Sequence, residues 1–186
     1  MELLIPGLIL VALMVYASTK IKKNAARAYE QETIETPEFS VVKPEGFICP
    51  VDHDDKLVFV AYSKEYGRDQ TDNIRQASAE IRAFADANID DICERAKINS
   101  VRVVSEDIGV LNGAKSCRVE TERIDGEITL NAIHKIVAGN GKIYDLTITV
   151  LTEYKDDYSR EIDEMLDSFA LKQNIGKPHS SWWIQI

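Results

Sequence analysis

The chain has 186 residues, 45% of them hydrophobic, so it is long enough for one well-formed core and predicts one globular domain. Acidic residues outnumber basic ones 31 to 22, and residues 1–30 hold four of the basic side chains against two acidic ones. The rest of the chain is therefore strongly acidic. Such a surface repels a phosphate backbone, which excludes nucleic acid as an expected partner.

The three cysteines, Cys49, Cys93 and Cys117, have no spacing that is typical of a zinc site. We predict buried free thiols, as in a reducing compartment, while one disulfide with one free thiol remains an alternative.

The amino-terminal stretch is apolar and uncharged from residue 3 to residue 17, and Ser18 and Thr19 extend it. About 17 helical residues span roughly 25 Å, the short end of a membrane crossing. A cleaved signal peptide is the alternative, because Val15-Tyr16-Ala17 resembles a cleavage site, but a basic region before the apolar segment is lacking. We therefore predict an uncleaved single-pass transmembrane helix, and its anchoring residues are Leu3, Leu4, Ile5, Leu8, Ile9, Leu10, Val11, Leu13 and Val15.

Basic residues follow this apolar stretch: Lys20, Lys22, Lys23 and Arg27. Short flanks rich in Lys and Arg stay in the cytoplasm, so we expect the amino terminus outside and the globular domain in the cytoplasm. These side chains also suit contact with anionic lipid headgroups. The predicted division is an anchor with a basic extension over residues 1–29, a linker over 30–37, a globular domain over 38–171 and a tail over 172–186.

Hydrophobic periodicity and turn residues predict the elements of the domain. Asn88 is the predicted cap of the first domain helix, and Ile89, Ile92, Cys93 and Ala96 are its predicted packed face because they recur at helical spacing. Strands are predicted over residues 38–47, 56–62 (with both faces buried), 77–84, 100–104, 108–111, 114–123, 128–138 and 142–151, and helices over 89–98 and from about 157.

The closing helix is predicted to be amphipathic. Its apolar stripe is Ile162, Met165, Leu166 and Phe169, and its solvated stripe is Glu161, Asp163, Glu164 and Asp167.

This order of elements resembles the PsbP-like fold, which photosystem extrinsic subunits and DcrB-type bacterial envelope proteins share. The resemblance is carried by Phe39-Ser-Val-Val-Lys-Pro-Glu-Gly-Phe47, by Leu111-Asn112-Gly113 and by Glu164-Met-Leu-Asp-Ser-Phe169. It implies an α+β fold, an antiparallel sheet with helices packed as an α/β/α sandwich, here preceded by the transmembrane helix. It also implies a non-catalytic binding or assembly role, with a photosynthetic or respiratory complex as the class of host.

Motifs that would carry chemistry are weak in this chain. The run Asp52-His53-Asp54-Asp55 could ligate a metal, yet four adjacent residues between strands are typical of a solvated turn. We predict His134 as a core or cross-strand histidine, His179 in the tail, and a tight turn at Gly139-Asn140-Gly141. No catalytic, cofactor or metal site is predicted, and an enzyme would need a pocket that joins His53 or His134 to two carboxylates.

The tail ends in an apolar aromatic segment, in which Trp182, Trp183 and Ile184 are candidate partner contacts. Docking on a partner, insertion among headgroups and folding back on the domain all remain open.

The expected function is that of a membrane-anchored accessory or assembly subunit. Its expected partners are an integral membrane protein complex and, through the amino-terminal helix, the lipid bilayer. The alternative is a membrane-tethered binding module or chaperone for an apolar peptide or a small ligand.

Overall fold

The computed structural model describes residues 4–52, 54–67, 74–111 and 113–172, and only the backbone of residues 4–8, 24 and 25. Its helices are α1 (Leu4–Ala28), α2 (Ile89–Lys97) and α3 (Ser159–Ser168). Its strands are β1 (Glu32–Glu35), β2 (Phe39–Lys43), β3 (Leu57–Tyr62), β4 (Ala77–Ala85), β5 (Arg102–Leu111), β6 (Ala114–Asp125), β7 (Ile128–Gly139), β8 (Lys142–Leu151) and β9 (Ala170–Leu171). Some sequence predictions fall outside the described residues: those for Leu3, His53, Asn112, His179, Trp182, Trp183 and Ile184.

Six strands form a large antiparallel sheet in the order β3-β4-β8-β7-β6-β5. The predicted meander of β6, β7 and β8 is confirmed, and two-residue turns join its strands, since Asp125 pairs with Ile128 and Gly139 pairs with Lys142. The strand predicted over 77–84, where the apolar pattern would also suit a helix, is confirmed as β4, which pairs with β8 along its whole length.

Side-chain alternation gives the large sheet two different faces. On β7, Ile133 and Val137 belong to the main core with α3, whereas Ile136 belongs to a second core with α2. We call these the α3 face and the α2 face. One helix on each face is the α/β/α arrangement expected from the sequence.

Helix α2 begins as predicted, because the Asn88 side chain accepts a hydrogen bond from the Asp90 backbone N–H. Its buried residues are the predicted ones: Ile89, Ile92, Cys93 and Ala96.

Strands β1, β2 and β9 form a small antiparallel sheet on the α3 face. Strand β1 lies inside the predicted linker, which is therefore structured over Glu32–Glu35 and pairs with β2. The prediction missed it because four polar-rich residues carry little periodicity by themselves, and only pairing with β2 makes them a strand.

Two local strand predictions were wrong, one for β3 and one for β5. Strand β3 buries Phe59 and Ala61, but Val58 on its other side is 39% exposed. The two segments predicted over 100–104 and 108–111 are one strand, β5, with an irregularity near Val103. As an exposed edge strand it tolerates the polar residues that suggested a break.

Two single-residue expectations also need correction. Cys49 is exposed, although Cys93 and Cys117 are buried as predicted. Glu161, placed on the solvated stripe of α3, keeps only 15% of its side chain exposed and accepts from Arg160 at 3.0 Å.

Helix α1 runs without interruption through the apolar stretch and the basic residues that follow. Within the described part of the chain, none of the helices combines the length and the apolar character that crossing a membrane requires.

The β7–β8 turn has a conformation that favours glycine, since Asn140 and Gly141 have φ angles of 56° and 74°. We expect Gly141→Ala to lower the free energy of unfolding by about 1 to 2 kcal/mol, because a Cβ makes left-handed backbone costly. Gly109→Ala is the matched control, since its added Cβ would meet only Ser116 Oγ at 3.9 Å. Urea denaturation of both variants checks this, and equal losses would contradict the strained turn.

Candidate functional site

A cavity of about 430 Å³ lies on the α2 face of the large sheet, beside the second half of α2. It exists because the nine-residue helix covers only part of the six-stranded sheet. We call it the α2 pocket, and its lining residues are Glu80, Arg82, Phe84, Ile92, Arg95, Ala96, Ile98, Asn99, Arg123, His134, Asp145, Thr147 and Thr149.

His134 and Asp145 form the buried polar centre of the α2 pocket. They lie on neighbouring strands, and His134 Nδ1 is 3.1 Å from Asp145 Oδ1 and 3.2 Å from Oδ2. Thr147 Oγ1 lies 3.1 Å from the same nitrogen. The prediction of a cross-strand histidine at position 134 is confirmed, and its ring is held in place from one side.

The geometry of this cluster differs from a catalytic triad. In a triad the carboxylate and the nucleophile contact different nitrogens of the histidine. Here Asp145 and Thr147 both contact Nδ1, and His134 Nε2 is buried without a hydrogen-bond partner among the described residues. The pocket does join His134 to two carboxylates, but the second, Glu80, is paired with Arg82 at 2.8 Å.

Two further arginines give the pocket its basic character. Arg123 Nη2 donates to the Ala96 carbonyl of α2 at 3.0 Å, while its Nε is buried and has no partner among the described residues. Arg95 is exposed on α2, beside the same cavity. The same cavity is thus lined by guanidinium groups and by a histidine whose Nε2 has no partner among the described residues.

The two buried cysteines belong to the core between α2 and the large sheet. Cys93 lies on α2 and Cys117 lies on β6. Burial raises the pKa of both thiols, and contact between them raises that of Cys93 further. Both therefore stay protonated at neutral pH, in the state that is a poor nucleophile and a poor metal ligand.

The acidic run between β2 and β3 was predicted to be a solvated turn, and its described residues are exposed. Asp52, Asp54 and Asp55 are exposed, and Asp54 Oδ1 accepts from the Lys56 backbone N–H at 3.0 Å. No group of three or more metal-ligating side chains occurs within the described residues.

The predicted anchor residues lie along α1. The side chains of Ile9, Leu10, Val11, Leu13 and Val15 are each more than half exposed. Leu4, Ile5 and Leu8 belong to the helix, and their side chains lie outside the described set. The basic residues Lys20, Lys22, Lys23 and Arg27 are exposed further along the same helix.

Lys43 connects the end of α1 to the domain. It is 1% exposed, and its Nζ donates to the carbonyls of Ala28 at 3.1 Å, of Phe47 at 3.0 Å, and of Glu30. A backbone hydrogen bond from Gly46 to Tyr29, 2.8 Å long, lies beside it. The chain therefore leaves the domain in a defined direction.

Sequence reasoning did not identify Arg95, Arg123, Asp145 or Thr147 as site residues. One signal was available, because Asp145, Thr147 and Thr149 recur at every second position of an otherwise apolar strand. Such a pattern indicates a polar sheet face.

The fold is shared with solved structures of low sequence identity. Cyanobacterial PsbP (CyanoP) from Synechocystis sp. PCC 6803 superposes with a TM-score of 0.55 at 10% identity, covering 77% of this chain and 94% of that one. The Ran-binding protein Mog1p of Saccharomyces cerevisiae gives a TM-score of 0.51 at 12% identity, with 78% and 97% covered. LpqN, involved in cell envelope biogenesis of Mycobacterium tuberculosis, gives 0.54 at 7%, with 77% and 91% covered.

No family model and no curated protein sequence matches the chain. The structural matches cover most of each neighbour, and they support the resemblance stated from the sequence at the level of the fold. The described domain is an antiparallel α+β fold of the PsbP and Mog1p type.

Proposed function

We propose that this chain is a non-catalytic accessory or assembly subunit of a membrane protein complex, held at the bilayer by α1 with its domain on the cytoplasmic side. The observation that carries the proposal is the exposed apolar surface of α1. Contiguous apolar side chains on a protein surface mark contacts with a membrane or a partner. The basic residues that follow them suit the cytoplasmic headgroup region.

The junction at Lys43 supports the proposal, because an anchor is useful for assembly when it orients the domain. A helix joined by a flexible linker would leave the domain free to rotate relative to α1. Here the buried ammonium group of Lys43 donates to three carbonyls, and these hydrogen bonds restrict that rotation. The solved neighbours include a protein named for binding Ran and one named for a role in envelope biogenesis. We extend an interaction role to this chain on that analogy.

The test compares the tagged full-length chain with a form lacking residues 1–29, by membrane fractionation and by mass spectrometry of proteins that co-purify in mild detergent. We expect the full-length chain to sediment with membranes and to recover an integral membrane complex, and the truncated form to do neither. Recovery of the full-length chain alone, or in the fraction without membranes, would refute the proposal.

Point variants distinguish insertion of α1 into the membrane from nonspecific adsorption of other exposed apolar residues. Leu13 on α1 and Val110 on β5 are both exposed apolar residues, at 59% and 73%. We expect Leu13→Glu to reduce membrane recovery and Val110→Glu to leave it unchanged.

The α2 pocket favours a second candidate function, a membrane-tethered module that binds a small ligand. Its lining includes three arginines and two carboxylates, which suits a polar ligand better than an apolar peptide. The two functions are compatible, since an accessory subunit can also carry a ligand.

A further inference from the structure

Two nitrogen atoms of the α2 pocket need an explanation. Arg123 Nε and His134 Nε2 are both buried, and neither has a hydrogen-bond partner among the described residues. Leaving a buried polar atom unpaired costs roughly 1 to 3 kcal/mol, so native structures rarely contain such atoms without a function. Both residues line one cavity, and a single ligand could satisfy both.

The charges around the cavity favour an anion. Three arginines but only two carboxylates, Glu80 and Asp145, line it, which leaves a surplus of one positive charge, and Glu80 is already paired with Arg82. Arg95 and Arg123 have no carboxylate partner within the described part of the chain. These two guanidinium groups lie in a chain with a net charge of −9, where a local positive surplus is unexpected.

His134 adds a requirement for a hydroxyl group. A neutral imidazole carries one N–H, and contact with the Asp145 carboxylate places that hydrogen on Nδ1. Nε2 is then an acceptor, and it lies on the other edge of the ring from Asp145. A ligand hydroxyl can donate to it while anionic oxygens of the same ligand accept from the arginines.

We propose that the α2 pocket binds a small hydroxylated oxyanion, a hydroxycarboxylate or a sugar phosphate. Its anionic oxygens accept hydrogen bonds from Arg123 and Arg95, and one of its hydroxyls donates to His134 Nε2. The cavity volume lies in the range of small-molecule sites. This inference deepens the second candidate function, small-ligand binding at the same pocket, and depends neither on the accessory role nor on how α1 is anchored.

Calorimetric titration of the full-length protein in mild detergent tests the proposal with four probes: citrate, tricarballylate, glucose 6-phosphate and glucose. We expect citrate or glucose 6-phosphate to bind, and the tighter of the two identifies the ligand class. Tricarballylate, which is citrate without the hydroxyl, and glucose, which lacks the anion, should bind about tenfold more weakly than their counterparts. Binding of neither anion at millimolar concentration would overturn the proposal, and so would equal binding of the tighter anion and its own counterpart.

A variant pair localises the binding. Arg95 is exposed on α2, so Arg95→Gln should fold normally and weaken binding about tenfold. Arg102→Gln, on exposed β5 outside the pocket, is the matched control and should bind like the parent chain. Equal weakening by both would show general attraction to positive charge and refute the site. Imidazole nitrogen NMR provides a second readout. The His134 Nε2 signal should shift when the protein is saturated with the tighter-binding anion.

Discussion

Phe39→Ala is expected to lower the free energy of unfolding by about 4 kcal/mol, because it empties the centre of the main core. Phe39 is 1% exposed, and its ring centroid lies 6.0 Å from that of Phe169 and 6.3 Å from that of Tyr144. These contacts join β2 of the small sheet to the end of α3 and to β8 of the large sheet. Removal of the ring leaves a cavity and also loses two aromatic contacts.

Urea denaturation of the full-length protein in mild detergent measures this loss. Val110→Ala is the control, since it also truncates an apolar β-strand residue, but one that is 73% exposed and should cost less than about 0.5 kcal/mol. A loss below about 1 kcal/mol for Phe39→Ala would mean that the two sheets and α3 do not share one core.

The meander was predictable because its signals are local. The two-residue turns containing Gly126 and Gly141 need left-handed backbone, and glycine allows it at no steric cost. Between these turns, apolar residues repeat with the period of a strand. Helix α2 was equally clear, since Asn88 and the spacing of Ile89, Ile92 and Ala96 are signals within nine residues.

The elements that were missed depend on partners distant in sequence. Strand β1 becomes a strand by pairing with β2, and β9 pairs with β2 from the other end of the chain. Val58 is exposed because the short helix α2 covers only part of its face of the sheet, whereas β5 is an edge strand that is exposed on both faces. No local pattern in β3 or β5 reports these positions in the sheet.

The candidate site was the least predictable part. His134 on β7 meets Asp145 and Thr147 on β8 because of register, since His134 pairs with Thr147 across the strands. Arg123 reaches the pocket from β6, and Arg95 from the helix. A one-residue change of register would send His134 to the opposite face, so only the assembled sheet defines the site.

Lys43→Met should destabilise the protein by about 3 kcal/mol and loosen the junction between α1 and the domain. Methionine keeps much of the volume of the stem but removes the donors to the carbonyls of Ala28, Glu30 and Phe47. Hydrogen bonds from a charged group contribute about 1.5 to 3 kcal/mol each, and relief of the buried charge offsets part of that loss. Urea denaturation measures the stability, and hydrogen exchange at the Gly46 amide, which donates to the Tyr29 carbonyl, reports the junction.

Lys172→Met is the matched control, because Lys172 is paired with Glu35 at 3.1 Å on a partly exposed surface. Exposed ion pairs contribute less than about 1 kcal/mol, so this variant should change neither the stability markedly nor the exchange at Gly46. If Lys43→Met leaves that exchange rate unchanged, Lys43 does not fix the direction of α1. If exchange rises while membrane recovery persists but the co-purified complex is lost, orientation of the domain, and not attachment alone, is what assembly requires.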